Sequence, residues 1–343
     1  GTNGKTTTTR LLGHVFESAG RRYRVAGNIG TPFSSVAKEL DEEGTVILEV
    51  SSFQLDTIDR FRPAVSVLLN ITPDHLKRYG DSFENYVRSK CRIFENQRSP
   101  DVLIYNRDDQ RVREAIESLP EAEAPRLLAI SCEQEVASGG FVRPGARDGI
   151  VLKLESSQEN LMAVDELALR GRHNTYNSLA AAVTARVRDI QNDDIRRSLA
   201  TFGGVAHRLE AVREVDEVLY VNDSKATNVN AVWYALDSFD RPVVLIAGGR
   251  DKGNDYSLLK PLVEERVRAV VAIGESADKV ERELGQYAPI CRRSDSMEAA
   301  VQEAVALAQA GDVVLLSPAC SSFDMFDDYE HRGNVFKAAV RKV

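Results

Sequence analysis

Long apolar runs are missing: nowhere in the 343 residues does one reach membrane-spanning length, and no signal peptide is visible, so no membrane insertion is expected. A basic surplus is missing too. Lysine and arginine number 44 against 52 acidic residues, and the net charge of -8 argues against nonspecific nucleic-acid binding. Cys91, Cys132, Cys291 and Cys320 form no C-x-x-C pair, which speaks against a zinc site and for reduced thiols in a cytoplasmic protein. No G-x-G-x-x-G occurs, which argues against a dinucleotide cofactor. An initiator methionine is also absent, and the chain opens inside a motif. A fragment that has lost its N-terminal part is the expectation.

What is present starts at residue 1. Gly1-Thr2-Asn3-Gly4-Lys5-Thr6-Thr7 carries the G-K-[ST] end of a phosphate loop. The glycines let the backbone turn around a polyphosphate, Lys5 can reach its outer oxygens, and the Thr6 hydroxyl can ligate magnesium. Leu11, Leu12, Val15, Phe16 and Ala19 then recur at helical spacing, so a helix follows whose N-terminal amides would face the phosphates.

Residues 24–27 read as a strand ending in Gly27-Asn28-Ile29-Gly30, a turn that binds ligand or merely punctuates. The apolar run 45–50 holds Glu49, a carboxylate that is costly to bury unless it meets a cation. A third run, 64–71, leads to Thr72-Pro73-Asp74-His75. Ligands collect at the carboxyl edge of an open parallel sheet, so Lys5, Glu49 and His75 are expected to converge there. Residues 82–96 read as a helix on which Lys90, taken alone, is a snorkelling surface lysine. Strand, helix and strand patterns over 101–105, 109–119 and 126–131 precede a β-hairpin over 141–154. An alanine-rich helix then runs to residue 187. Asn174 and Asn177 share a face of its first turn, where they read a base edge or cap the helix, capping accounting for one at most.

A helix over 193–202 ends at Gly203-Gly204, the expected boundary between domains 1–204 and 205–343. Beyond it, strands near 218–222, 243–247, 268–273 and 313–316 alternate with helices. Three polar loops follow strand ends, around Asn222-Asp223-Ser224-Lys225-Ala226-Thr227-Asn228, Gly248-Gly249-Arg250-Asp251-Lys252-Gly253 and Ser317-Pro318-Ala319-Cys320-Ser321-Ser322-Phe323. The expected fold is α/β: a P-loop NTPase-like domain with a mostly parallel sheet, then a Rossmann-like α/β domain.

Lined up, these segments resemble the Mur ligases, ATP-dependent amino-acid ligases of peptidoglycan precursor synthesis, over essentially the whole chain. The resemblance implies ATP binding by Gly1, Thr2, Asn3, Gly4, Lys5, Thr6 and Thr7, with Asn174 and Asn177 near the adenine and Arg208 and Asp223 closing on the nucleotide. It implies two Mg2+ ions held by Thr6, Glu49, His75 and a carbamate on Lys90, and catalytic roles for Lys5, His75 and Lys90. The segments Glu49-Val50-Ser51-Ser52-Phe53-Gln54-Leu55 and Ser224-Lys225-Ala226-Thr227 are similar to the family member that adds D-glutamate to UDP-N-acetylmuramoyl-L-alanine. On that similarity Asn28, Ser51, Lys225, Thr227, Lys252, Ser322 and Phe323 contact substrate, and a monomer is expected. Closing of two domains about Gly203-Gly204 would shield an acyl phosphate from water. Two rivals remain: a relative adding another amino acid such as L-glutamate, and an ATP-binding module without ligase activity.

Overall fold

The computed structural model describes residues 1–40, 44–120, 124–145, 147–154 and 157–343. They form two compact units, Gly1–Gly203 and Gly204–Val343.

The first unit holds strands β1 (Tyr23–Gly27), β2 (Thr45–Glu49), β3 (Val65–Leu68), β4 (Val102–Asn106), β5 (Arg126–Ser131), β6 (Gly139–Arg143), β7 (Gly149–Leu154) and β8 (Ser157–Ala163). β1 and β2 form a parallel pair, and β3-β4-β5-β6-β7-β8 form a second sheet, parallel as far as β6 and antiparallel beyond it. The helix Lys5–Ser18 follows the opening loop and buries Leu11, Leu12, Val15 and Phe16, each worth about 1.5–3 kcal/mol when fully removed from water. It packs on β1, β2 and the helix Arg172–Val187. Alanines 180–182 and 185 of that second helix are wholly buried, because only small side chains allow so close an approach on all sides.

The second unit orders its strands β13-β12-β11-β14-β10-β9, with β9 (Glu210–Val215), β10 (Val218–Asn222), β11 (Val243–Gly248), β12 (Val267–Ile273), β13 (Ile290–Ser294) and β14 (Val313–Leu316). Among the described residues of this sheet only the β9–β10 pairing is antiparallel. Every residue of β11 and β14 is buried, since helices cover both faces of the sheet, which is why both strands read as unbroken apolar runs.

Several expectations change. The helix expected over 82–96 is α-helical only over Phe83–Cys91 and tightens to a 3-10 turn at Arg92–Phe94. The hairpin of β6 and β7 gains a third strand, β8. β9 and β13 were not legible either. Among the described residues β2 and β3 are parts of separate sheets.

Candidate active site

The opening loop is held from two sides. On one, Thr2 N donates to Asn70 O (2.9 Å), Asn3 N donates to Asn70 Oδ1 (2.8 Å), and Thr72 N donates to Thr2 Oγ1 (3.1 Å). On the other, the Thr8 hydroxyl donates to Asn177 Oδ1 (3.2 Å). Gly4 sits between with φ 82°, and a Cβ there would lie 2.3 Å from Asn177 Oδ1, so only glycine fits. Gly4 caps the helix Lys5–Ser18 without a side-chain bond and no acid occupies its first turn, which leaves a positive helix end open to an anion. Lys5 Nζ folds back to Thr2 O (2.6 Å), while Thr6 and Thr7 are buried at the turn.

Among the described residues three buried polar atoms around this loop have no hydrogen-bond partner: Asn3 Nδ2, Glu49 Oε2 and Thr72 Oγ1. Glu49 is 4% exposed, and its other oxygen accepts from Asn28 Nδ2 (3.0 Å). Unsatisfied groups of this kind cost roughly 1–3 kcal/mol each, so their concentration here fits a polar ligand. Among the described residues no three His, Cys, Asp or Glu side chains gather as a metal cage. A cation at Glu49 would complete its shell from phosphate, the Thr6 hydroxyl and water, as suits magnesium.

Lys90 is 5% exposed, which corrects its reading as a snorkelling surface side chain. Its ammonium lies 4.5 Å from the centre of the Tyr86 ring. Burial pushes its pKa down to about 7, the charge of Lys5 adds to that, and Asp74 opposes it. Because Lys5 acts electrostatically on Lys90, the two lysines share one site. The His75 side chain is 62% exposed, in a left-handed backbone conformation (φ 53°), 3.6 Å from Asp74 Oδ2. Ser51 begins the short helix Ser52–Leu55 in a capping arrangement, its N–H donating to Gln54 Oε1 (2.9 Å). Neither Asn174 nor Asn177 caps the helix Arg172–Val187, whose N-cap is Gly171. Asn177 Nδ2 instead donates to Asn174 Oδ1 (3.1 Å), and Asn174 Nδ2 donates to Arg170 O (2.8 Å).

In the second unit the loops after β10 and β14 are bound to each other. Asp223 accepts from Leu209 N (3.2 Å) and from Ser317 Oγ (2.8 Å), yet burial outweighs those bonds and raises its pKa to about 7. Half-buried Arg208 acts on the same carboxylate. The Lys225 ammonium lies 5.0 Å from the centre of the Tyr329 ring. Thr227 N donates to Lys225 O (2.9 Å), Ser322 is buried, and Lys252 and Phe323 are exposed. Two side chains that sequence reasoning passed over organise these sites. Arg332, 2% exposed, donates to Ser224 Oγ (2.9 Å), Ser224 O (2.8 Å) and Cys320 O (3.1 Å), joining the two loops. Tyr86, which carries Lys90 on its ring face, lies 3.2 Å from Thr2 Oγ1 through its hydroxyl. Its place one helical turn before Lys90 was the available signal.

Known proteins resemble the chain in sequence and in fold. Residues 1–185 match the Mur ligase middle domain, and residues 207–320 match the Mur ligase glutamate ligase domain. A UDP-N-acetylmuramoylalanine–D-glutamate ligase of Salinibacter ruber is 62% identical over 346 residues, spanning 99% of this chain and 74% of that protein. Two solved structures share the fold at low identity. MurF from Acinetobacter baumannii aligns with a TM-score of 0.73 at 18% identity, covering 99% of this chain and 74% of its own. MurF from Thermotoga maritima, in complex with ADP, aligns at 0.72 and 20%, covering 100% and 79%. With both domains matched in tandem and a relative this similar along nearly the whole of this chain, the chain belongs to the Mur ligase family.

Proposed function

We propose that this chain is an ATP-dependent ligase that joins D-glutamate to UDP-N-acetylmuramoyl-L-alanine, in peptidoglycan precursor synthesis. The observation that carries the ligase chemistry is the set of partnerless polar atoms around an open helix N-terminus, with the buried amine of Lys90 beside it.

A carboxylate is a poor electrophile, so the terminal alanyl carboxylate first takes the γ-phosphoryl group of ATP, giving an acyl phosphate and ADP. The D-glutamate amine then attacks the acyl carbon, forms the amide and expels phosphate. Loop amides and Lys5 neutralise the phosphate charge that would otherwise repel the attacking carboxylate. Bound magnesium would supply further charge neutralisation, held by Glu49 and Thr6 at one position and by His75 and Lys90 at a second. For the second position Lys90 would carry a carbamate; its buried amine, with its pKa lowered to about 7, supports that chemistry. Asn28 orients the Glu49 carboxylate. Asn174 and Asn177 would border the adenine, and Arg208 and Asp223 would serve the nucleotide. Lys225, Lys252, Thr227 and Ser322 would hold the two carboxylates of D-glutamate, with the Phe323 backbone alongside.

The test is ADP and phosphate release with magnesium, ATP and UDP-N-acetylmuramoyl-L-alanine, comparing D-glutamate with L-glutamate, L-alanine and diaminopimelate. Release with D-glutamate alone is expected. Release with another amino acid would replace the acceptor, and no release with any of them would leave a nucleotide-binding module.

A further inference from the structure

The turn after β4, Asn106-Arg107-Asp108-Asp109, has no part in the chemistry above, yet it touches both supports of the phosphate loop. Asn106 Oδ1 accepts from Asp108 N (3.0 Å) and fixes the turn. Asp108 then collects three donors: Ser131 Oγ (2.7 Å) at Oδ1, and Cys132 N (2.7 Å) and the Tyr176 hydroxyl (2.7 Å) at Oδ2. Tyr176 adjoins Asn177, the residue that bonds Thr8 and fills the space beside Gly4. Asp109 reaches the opposite way. Its Oδ1 accepts from Val112 N (2.9 Å), capping the helix Gln110–Glu117, and its Oδ2 accepts from Ile71 N (3.2 Å). Ile71 lies between Asn70 and Thr72, which bind Thr2 and Asn3.

A helix cap needs one carboxylate oxygen; the second bond of Asp109, to a residue 38 positions earlier in the chain, is not explained by capping. Likewise Asp108 unites the ends of β4 and β5 with Tyr176 near the start of the helix Arg172–Val187, beyond what its own turn requires. We propose that Asp108 and Asp109 are paired positioning residues for nucleotide binding: two adjacent carboxylates that fix the spacing between the Asn70–Thr72 wall and the Asn177 wall of the phosphate loop. Neither touches the nucleotide. They act by holding the loop amides where the phosphates need them, so their loss weakens nucleotide affinity beyond any loss of stability. This inference rests on the reading of the loop as a nucleotide site, and not on which amino acid is ligated.

Two conservative variants separate positioning from folding. Tyr176→Phe removes one hydroxyl and leaves the ring. Asp109→Ser keeps a cap for the helix Gln110–Glu117 but cannot reach Ile71. Ser66→Ala, which breaks the buried Ser66–Gln97 bond (2.7 Å) elsewhere in the same unit, serves as the stability control. ADP affinity by calorimetry and the KM for ATP are measured for the whole protein beside its unfolding midpoint. Tyr176→Phe and Asp109→Ser are each expected to weaken ADP binding and raise the KM for ATP about tenfold, with kcat at saturating ATP nearly unchanged, while Ser66→Ala leaves both constants alone. If all three variants lose similar stability and none changes ADP affinity, the two aspartates are purely structural and the proposal fails. Because ADP binding is read directly, that failure stays distinct from failure of the D-glutamate assignment, in which ADP binds but D-glutamate elicits no turnover.

Discussion

Around the phosphate loop Asn3, Glu49 and Thr72 each keep a buried polar atom without a hydrogen-bond partner, whereas on the rim of the second unit Asp223, Ser224, Ser317 and Arg332 largely satisfy one another. Among the described residues Asp324, at the end of the loop after β14, and Ser294 also keep a partnerless oxygen each. The contrast separates two ways of building a site. Groups left incomplete are completed by what binds, and removing them costs function; groups already complete hold a loop in shape, and removing them costs stability first.

That contrast can be broken by substitution. Lys5→Ala should lower turnover by about 10²–10³-fold, by analogy with losing one preorganised charge-stabilising donor, while the unfolding midpoint hardly moves. A large loss of stability would put Lys5 in the second class. Glu49→Gln keeps an oxygen for Asn28 but removes the charge; the expected result is a rate reduction of about 10²-fold, partly recovered at raised magnesium. An unchanged magnesium dependence would separate Glu49 from any metal. On the other side, Arg332→Met leaves Ser224 O and Cys320 O without their buried donor and should destabilise the second unit by about 2–4 kcal/mol in denaturant titrations. Catalytic loss at full stability would overturn its assignment as a loop tie.

The smallest effect concerns Asp223. Its folded pKa of about 7 lies above the unfolded carboxylate value near 4, so the folded state binds the extra proton and the contribution to stability is complete below about pH 4. As pH rises through about 7 that contribution is lost. Asp223→Asn should therefore lose less stability between pH 4.5 and 7.5 than the parent chain, by a few kcal/mol at most. Parallel stability curves for the two would show that Asp223 is already ionised in the fold.

Much of this was legible in the sequence, and the reasons are local. Lys5, Glu49 and the helix after the loop carry strong patterns, because glycine turns and buried apolar faces leave a trace in residue type. β8, β9 and β13 left little. Each is the outer strand of its sheet, and segments such as Ile290-Cys291-Arg292-Arg293-Ser294 carry charges where a central strand carries valine. Lys90 was ambiguous for another reason: snorkelling and burial use the same residue, and only the packing of Tyr86 against it decides. The Asn pair was read as base contact or cap because both roles suit an amide in a first helical turn. The bond from Thr8 to Asn177 joins residues 169 positions apart, a relation no local spacing records.

That same bond has a consequence for motion. Gly4 rests against the Asn177 amide, Thr8 donates to it, and Asn177 is joined to Asn174, so the opening loop and the start of the helix Arg172–Val187 share one mechanical element. If adenine binds at Asn174 as proposed, it should stiffen amides in the Lys5–Ser18 helix without touching them, and slower hydrogen exchange at Thr8 and Thr9 would register it before any phosphate is engaged.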